Sequence, residues 1–260
     1  MKTTFVIISV SDRVDQLNEL LKTIIADSRW DDIDVNLLFQ DPSGVEGMIE
    51  HRERYENIFV YPKLLGCHGA RVTLLNKIKY DTYINLDDDM LLGGYTNYHP
   101  AIKKTKEKGV GFVLTNWAKT PELLAKKVPK KQDKFVSQIL VYNGGGMVYS
   151  NSVADYMRAL PIIDTAFDVA WPLTAYVEGY NNYRYLGSLS VHRVCGRGGM
   201  SAYMTTTKLH VMCGEYLTYF YCKRRKGNCH DVHIPLDQNV NDLAREKHRA
   251  NRLARFNKTR

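Results

Sequence analysis

The stretch Asp81-Thr82-Tyr83-Ile84-Asn85-Leu86-Asp87-Asp88-Asp89-Met90-Leu91-Leu92 decides how the rest of the chain is read. Tyr83, Ile84 and Leu86 favour a buried strand, and the apolar run is too short for a core helix. The strand runs directly into three carboxylates. Side chains alternate along a strand, so Asp87 and Asp89 are expected on one side of it. Two carboxylates together at a strand end suit a hard divalent cation that also holds phosphate oxygens. The other reading is an acidic turn that stays hydrated. Repulsion at the mouth of an apolar strand costs energy unless a cation offsets it, and this favours the metal.

Working outward, Thr4 to Val10 reads as a first strand, and Val14, Leu17, Leu20, Leu21, Ile24 and Ile25 follow with the spacing of an amphipathic helix. Ser11-Asp12-Arg13 lies at the junction, with Asp12 as the expected N-cap. Val35 to Phe39 is a second strand, closed by the turn signal Gln40-Asp41-Pro42-Ser43-Gly44. A helix is expected over about Val45 to Tyr55, and Ile58 to Tyr61 is a third strand. Gly66-Cys67-His68-Gly69-Ala70-Arg71 opens a helix that runs through Leu74, Leu75 and Ile78 and leads to the acidic strand. This alternation predicts an α/β fold, a single Rossmann-like domain with a mixed, mostly parallel sheet flanked by helices. Ligands of such sheets sit at the carboxyl ends of the strands, where Ser11, Arg13, Asp41 and Asp87 to Asp89 all fall.

The second half predicts a polar helix over Ala101 to Lys108 and a strand from Val110 to Leu114 that ends at Thr115-Asn116-Trp117. Lysine-rich chain follows, and then a strand from Phe135 that meets Asn143-Gly144-Gly145-Gly146-Met147. Helices are expected over Val153 to Leu160 and Thr165 to Glu178, the latter stopped at Gly179. Tyr183 to Val191 is a strand that delivers His192. Glycines let backbone approach a ligand closely, and sugars and bases stack on aromatic rings. Trp117, Trp171, Gly144, Gly145 and Gly146 are therefore candidates for a ligand cleft. Each tryptophan equally suits the core, the favoured reading for Trp171, and the glycines equally suit a bulge between strands.

The chain has 260 residues, of which 44% are hydrophobic and 25% charged, ordinary for a globular protein with a large core. No apolar run approaches the roughly 18–20 residues of a membrane span. The start, Met1 to Ile8, lacks a signal-peptide cleavage site and flows into a strand, so a cytoplasmic location is expected. Five cysteines without a regular framework fit a reducing compartment. Cys222, Cys229, His230 and His233, with Cys213 nearby, invite a zinc reading, but their spacing differs from the short pairs of common zinc sites. The net charge of +8 asks for a polyanionic partner, nucleic acid or an anionic membrane face. Lysines crowd Lys103 to Lys134, Lys223-Arg224-Arg225-Lys226 forms a block, and Arg245 to Arg260 is strongly basic.

Taken in order, Ser11-Asp12-Arg13, Asp41-Pro42-Ser43-Gly44, Gly66 to Arg71 and Leu86-Asp87-Asp88-Asp89 resemble the GT-A nucleotide-sugar glycosyltransferases, family 2 in particular. Asp168-Val169-Ala170-Trp171 to Val177-Glu178-Gly179-Tyr180 resembles that family's Glu-Asp segment and its Gly-Tyr turn. His192 matches the histidine that closes the family's metal site. Ser9 stands where the family has proline, Asp12 where it has asparagine, and Val72 where asparagine follows the Ala-Arg pair.

The resemblance implies a GT-A domain over 1–210, with a nucleotide-sugar half at 1–95 and an acceptor half at 96–210, followed by a basic extension over 211–260. It implies donor binding by Ser9, Ser11, Arg13, Asp41, Arg71, Asp87 and Asp88, with a UDP-sugar as the commonest donor. It also implies Mn2+ or Mg2+ held by Asp87, Asp89 and His192, and makes the cleft of Trp117, Trp171, Gly144, Gly145 and Gly146 an acceptor cleft. Asp168 is then the candidate base that takes the proton of a hydroxyl acceptor, with inversion at the sugar; the other reading of Asp168 is a carboxylate at a helix N-terminus. Three readings of the acceptor side follow. The favoured one is a hydroxymethylated pyrimidine in double-stranded DNA, similar to phage-encoded DNA-modifying transferases, because lysines and arginines neutralise phosphates. The alternatives are a peripheral-membrane enzyme of surface polysaccharide synthesis, and a non-catalytic nucleic-acid-binding module on the same scaffold.

Overall fold

Strand β1 (Thr3–Val10) is buried from Thr3 to Ser9, because both of its faces are covered. The computed structural model describes residues 2–55, 57–118, 134–138, 145–159, 171–172, 174–176 and 178–192. Phe5 and Ile7 join one apolar cluster with Leu17, Leu20 and Leu21 of helix α1 (Val14–Ile25). Val6 and Ile8 join a second cluster with Leu74 and Leu75 of helix α2 (Cys67–Lys77). Unbroken apolar runs of this kind mark strands sandwiched between helical layers, and each fully buried leucine contributes roughly 2 kcal/mol.

Strands β2 (Ile33–Gln40), β3 (Asn57–Tyr61) and β4 (Thr82–Asp87) complete a parallel block in the order β3-β2-β1-β4. The chain continues through β5 (Met90–Leu91), α3 (His99–Lys104), β6 (Val110–Ala118), β7 (Phe135–Gln138), β8 (Met147–Ser150), α4 (Asn151–Arg158) and β9 (Asn181–His192). The sheet order extends as β4-β8-β6-β9-β5, with β7 also paired to β9. Here β8 is antiparallel to both its neighbours, while β9 runs parallel to β6. The expected α/β class with a mixed, mostly parallel central sheet is the one observed. Among the described residues, no helix is long and apolar enough to cross a membrane.

Local differences have local causes. The helix expected over 45–55 is replaced by two 3-10 turns, Glu46–Met48 and Arg52–Arg54. His51 between them adopts φ 57°, which breaks a right-handed helix. Asn18 pins the segment from the α1 side, donating to the Met48 carbonyl and accepting from Glu50 N–H. Asp12 does not cap α1; it lies inside the 3-10 turn Ser11–Arg13, and Arg13 takes the N-cap position. The helix expected from Thr165 is helical at 171–172 and 174–176, and Gly179 at φ 96° ends it as expected. Residues 165–170 lie outside the described residues, as does everything beyond His192, including the basic extension and the Cys213 to His233 cluster.

Candidate active site

The register of the sheet assembles the acids. In the β1–β4 pairing Ile8 faces Asp87, so the last residue of β4 lies level with the end of the β1 core. Asp88 and Asp89 form the turn after β4, and the short β5 leaves that turn antiparallel to β9, with Met90 opposite His192. Asp87, Asp89 and His192 each thereby offer one ligand atom, and these atoms all lie within 4.8 Å of one another. The expected convergence of Asp87 and Asp89 is real, but a turn produces it rather than alternation along one strand. His192 Nε2 lies 3.0 Å from Asp89 Oδ1 and 3.6 Å from Asp87 Oδ2.

Two arginines brace the acids from behind. Arg13 Nη1 meets Asp88 Oδ1 at 3.1 Å and Nη2 meets Asp89 Oδ2 at 2.6 Å. Arg71 of α2 donates to Asp87 Oδ1 at 2.6 Å and contacts Cys67 Sγ at 2.7 Å. Ser9 donates its hydroxyl to Asp88 Oδ2 at 2.8 Å. Burial pushes the Asp88 carboxyl up to about 7, against the pull of Arg13 and Ser9. Burial also pushes Asp89 up, but the close contact with His192 and the charges of His192 and Arg13 outweigh it and leave that carboxyl below its ordinary value. For His192 the Asp89 contact is the largest influence and raises it above the ordinary 6.5; burial opposes, and the charges of both acids add. The His192–Asp89 contact, at 3.0 Å, becomes an ion pair when the imidazole is protonated. Asp89 Oδ1 is buried and makes no directed hydrogen bond. An oxygen in that state, beside a second carboxylate and an imidazole, fits a divalent ion such as Mn2+ or Mg2+.

These shifts give a pH prediction for the metal-free protein. Asp88 and His192 are raised on folding, so the stability they contribute is present at low pH. It is lost as pH rises through about 7 for Asp88 and through the raised value of His192. Asp89 is lowered, so its contribution is lost as pH falls below its ordinary 3.8. A bound cation needs the deprotonated groups and reverses the trend. Thermal melts between about pH 5.5 and about pH 8 are expected to show metal-free stability declining and the increment from added Mn2+ growing. An increment independent of pH would remove His192 from the ligand set.

No protein-family model matches the sequence, and none of the curated proteins does. Solved structures do match. A mannosyltransferase from Pyrobaculum calidifontis in complex with GDP-Man and Mn2+ superposes with a TM-score of 0.63 at 16% identity, covering 95% of this chain and 73% of that one. S. aureus TarS in complex with UDP-GlcNAc gives 0.59 at 12% identity, covering 95% of this chain and 79% of that one. The fold is GT-A. GalNAc-T7 with UDP, GalNAc and Mn2+ gives 0.57 at 14% identity over 95% of this chain, which spans 55% of that longer one. At such identities a shared GT-A scaffold speaks to fold, and function has to be argued from the site.

On the GT-A scaffold the other expected residues divide. Ser11 lies at the same edge, its Oγ 3.3 Å from that of Ser43. Asp41 is 5% exposed and accepts from Val45 N–H and Glu46 N–H, so its carboxylate shapes the loop after β2. Arg71 is 1% exposed and bonded to Asp87 and Cys67, so it steadies the first acid. Trp171 corrects the acceptor-cleft expectation. It is fully buried against Phe112, Tyr149 and His68.

Gly145 is where backbone does approach the acids. A Cβ there would overlap Met90 Sδ and lie 3.2 Å from Asp87 Oδ2. Gly146 needs its glycine for φ 79°, and its N–H donates to the Asn85 carbonyl at 2.7 Å. Gly144, Asp168 and the side chain of Trp117 lie outside the described residues. Sequence reading missed Cys67 as a partner of Arg71, although their four-residue spacing on one helix was the available signal.

Proposed function

We propose that this chain is a metal-dependent, inverting glycosyltransferase that moves a sugar from a nucleoside-diphosphate sugar to a hydroxyl acceptor. The observation that carries the reading is the meeting of Asp87, Asp89 and His192 at the carboxyl edge of a GT-A sheet. The similar structures hold GDP-Man, UDP-GlcNAc or UDP, two of them with Mn2+, which supports a nucleotide-sugar donor, a UDP-sugar first, and Mn2+ or Mg2+. When bound, the ion supplies positive charge at the departing diphosphate. Asp87, Asp89 and His192 would hold it; Arg71 fixes the first acid, and Arg13 with Ser9 fixes the other two. The acceptor hydroxyl must lose a proton as it attacks the anomeric carbon, and Asp168 is the proposed base. One carboxylate acting in one displacement inverts the anomer.

For the acceptor we propose hydroxymethylated pyrimidine in duplex DNA. Its support is charge: a net +8 with three basic runs suits phosphate neutralisation. The target base must leave the stack for its hydroxyl to reach the site. The test is incubation with a panel of nucleotide sugars and Mn2+, scoring nucleoside diphosphate release with and without hydroxymethylated DNA. Release that no DNA stimulates, together with binding to anionic liposomes, would move the acceptor to the membrane surface. Asp168→Asn is expected to spare donor binding while lowering transfer by roughly two orders of magnitude or more. Near-normal turnover would remove Asp168 from the role.

A further inference from the structure

We infer that Arg13 is a positioning residue of the metal site: by bridging two neighbouring acids it dictates which carboxylate oxygens face the cation, and with that which cation is accepted. The inference rests on the reading of a divalent ion among Asp87, Asp89 and His192.

The bond pattern makes the case. Asp88 has both oxygens taken, Oδ1 by Arg13 and Oδ2 by Ser9, and is 3% exposed; it is an anchor, not a ligand. Asp89 has Oδ2 taken by Arg13, which leaves Oδ1 on the His192 side. Asp87 has Oδ1 taken by Arg71, which leaves Oδ2 on the His192 side. Each ligand carboxylate is thus pinned at one oxygen and free to bind through the other. With all three acids ionised and His192 neutral, the two arginines leave one formal negative charge, enough to attract a cation without the repulsion of three bare carboxylates.

Single-oxygen ligands plus one imidazole suit a small ion of octahedral habit that keeps positions open for diphosphate oxygens. Ca2+ favours more oxygens and two-oxygen carboxylates, so the brace selects against it. Only a planar fork spans two carboxylates in this way, and a lysine ammonium is a point charge. Arg13 is suited to its task by its place, since it ends the turn from β1 and begins α1, two elements packed in the same core.

The test is Mn2+ titration of the full chain without donor, followed by paramagnetic resonance of free Mn2+, for wild type, Arg13→Gln and Arg13→Lys. Circular dichroism melts confirm folding, and Ca2+ competes in a parallel series. Both variants are expected to bind Mn2+ about tenfold or more weakly and to lose preference for Mn2+ over Ca2+. In turnover the loss is expected in the Mn2+ concentration needed rather than in the rate at saturation. Should Arg13→Gln fail to fold, Arg13→Lys keeps the charge and decides. Unchanged Mn2+ affinity and Ca2+ preference in a folded Arg13→Lys would overturn the inference. A wild type that binds Mn2+ but transfers no sugar would instead overturn the transferase reading, and the affinities would still decide the role of Arg13.

Discussion

Asp89→Ala is expected to lower metal-dependent turnover by roughly three orders of magnitude, the scale of removing a dedicated electrostatic element from a transition state. The substitution does two things at once. It removes the oxygen that faces His192, and it releases one arm of the Arg13 fork. The remaining two acids then stand against two arginines, so the pocket is formally neutral and no longer attracts the cation it is built to hold. Nucleoside diphosphate release across a Mn2+ series, on protein shown to be folded, is the measurement. Asp12→Ala is the control, because Asp12 is exposed on the neighbouring turn. If Asp89→Ala and Asp12→Ala behaved alike, the three-ligand site would be wrong.

Trp171→Ala is expected to destabilise the fold by about 3–5 kcal/mol, on the order of 10 °C in melting temperature. Its ring is 0% exposed and packs edge-on to Tyr149, with centroids 5.8 Å apart, and tilted against Phe112 at 6.3 Å. These partners belong to the adjacent strands β8 and β6, so the cavity would open beneath that pair, next to β4. Denaturant unfolding of the variant is the check. A residue of an acceptor cleft would behave differently, raising the acceptor concentration needed with stability unchanged. That pattern would restore the acceptor reading of Trp171.

The parallel half was legible in the sequence because burial on both faces writes itself as unbroken apolar runs, as at Phe5 to Ile8 and Tyr83 to Leu86. Three carboxylates after such a run announced a charged site. His192 was different, since nothing in its neighbourhood distinguishes it; only the family resemblance singled it out. Its place depends on the pairing of Met90 with His192 across the fold. The duties of Arg13 and Arg71 were missed for a related reason. Both were expected to face a donor, yet each turns inward to an acid whose position is set by a turn after another strand. At Asp41 a correct turn signal hid the outcome that the turn itself consumes the carboxylate.

The central claim is that Asp87, Asp89 and His192 together hold one divalent ion against which a nucleotide diphosphate binds. Crystals grown with Mn2+ and UDP, with diffraction recorded at the manganese absorption edge, test it most directly. The account predicts a single anomalous peak bonded to Asp87 Oδ2, Asp89 Oδ1 and His192 Nε2, with diphosphate oxygens completing the shell. A peak elsewhere, or UDP bound with no ion among those three residues, would contradict it.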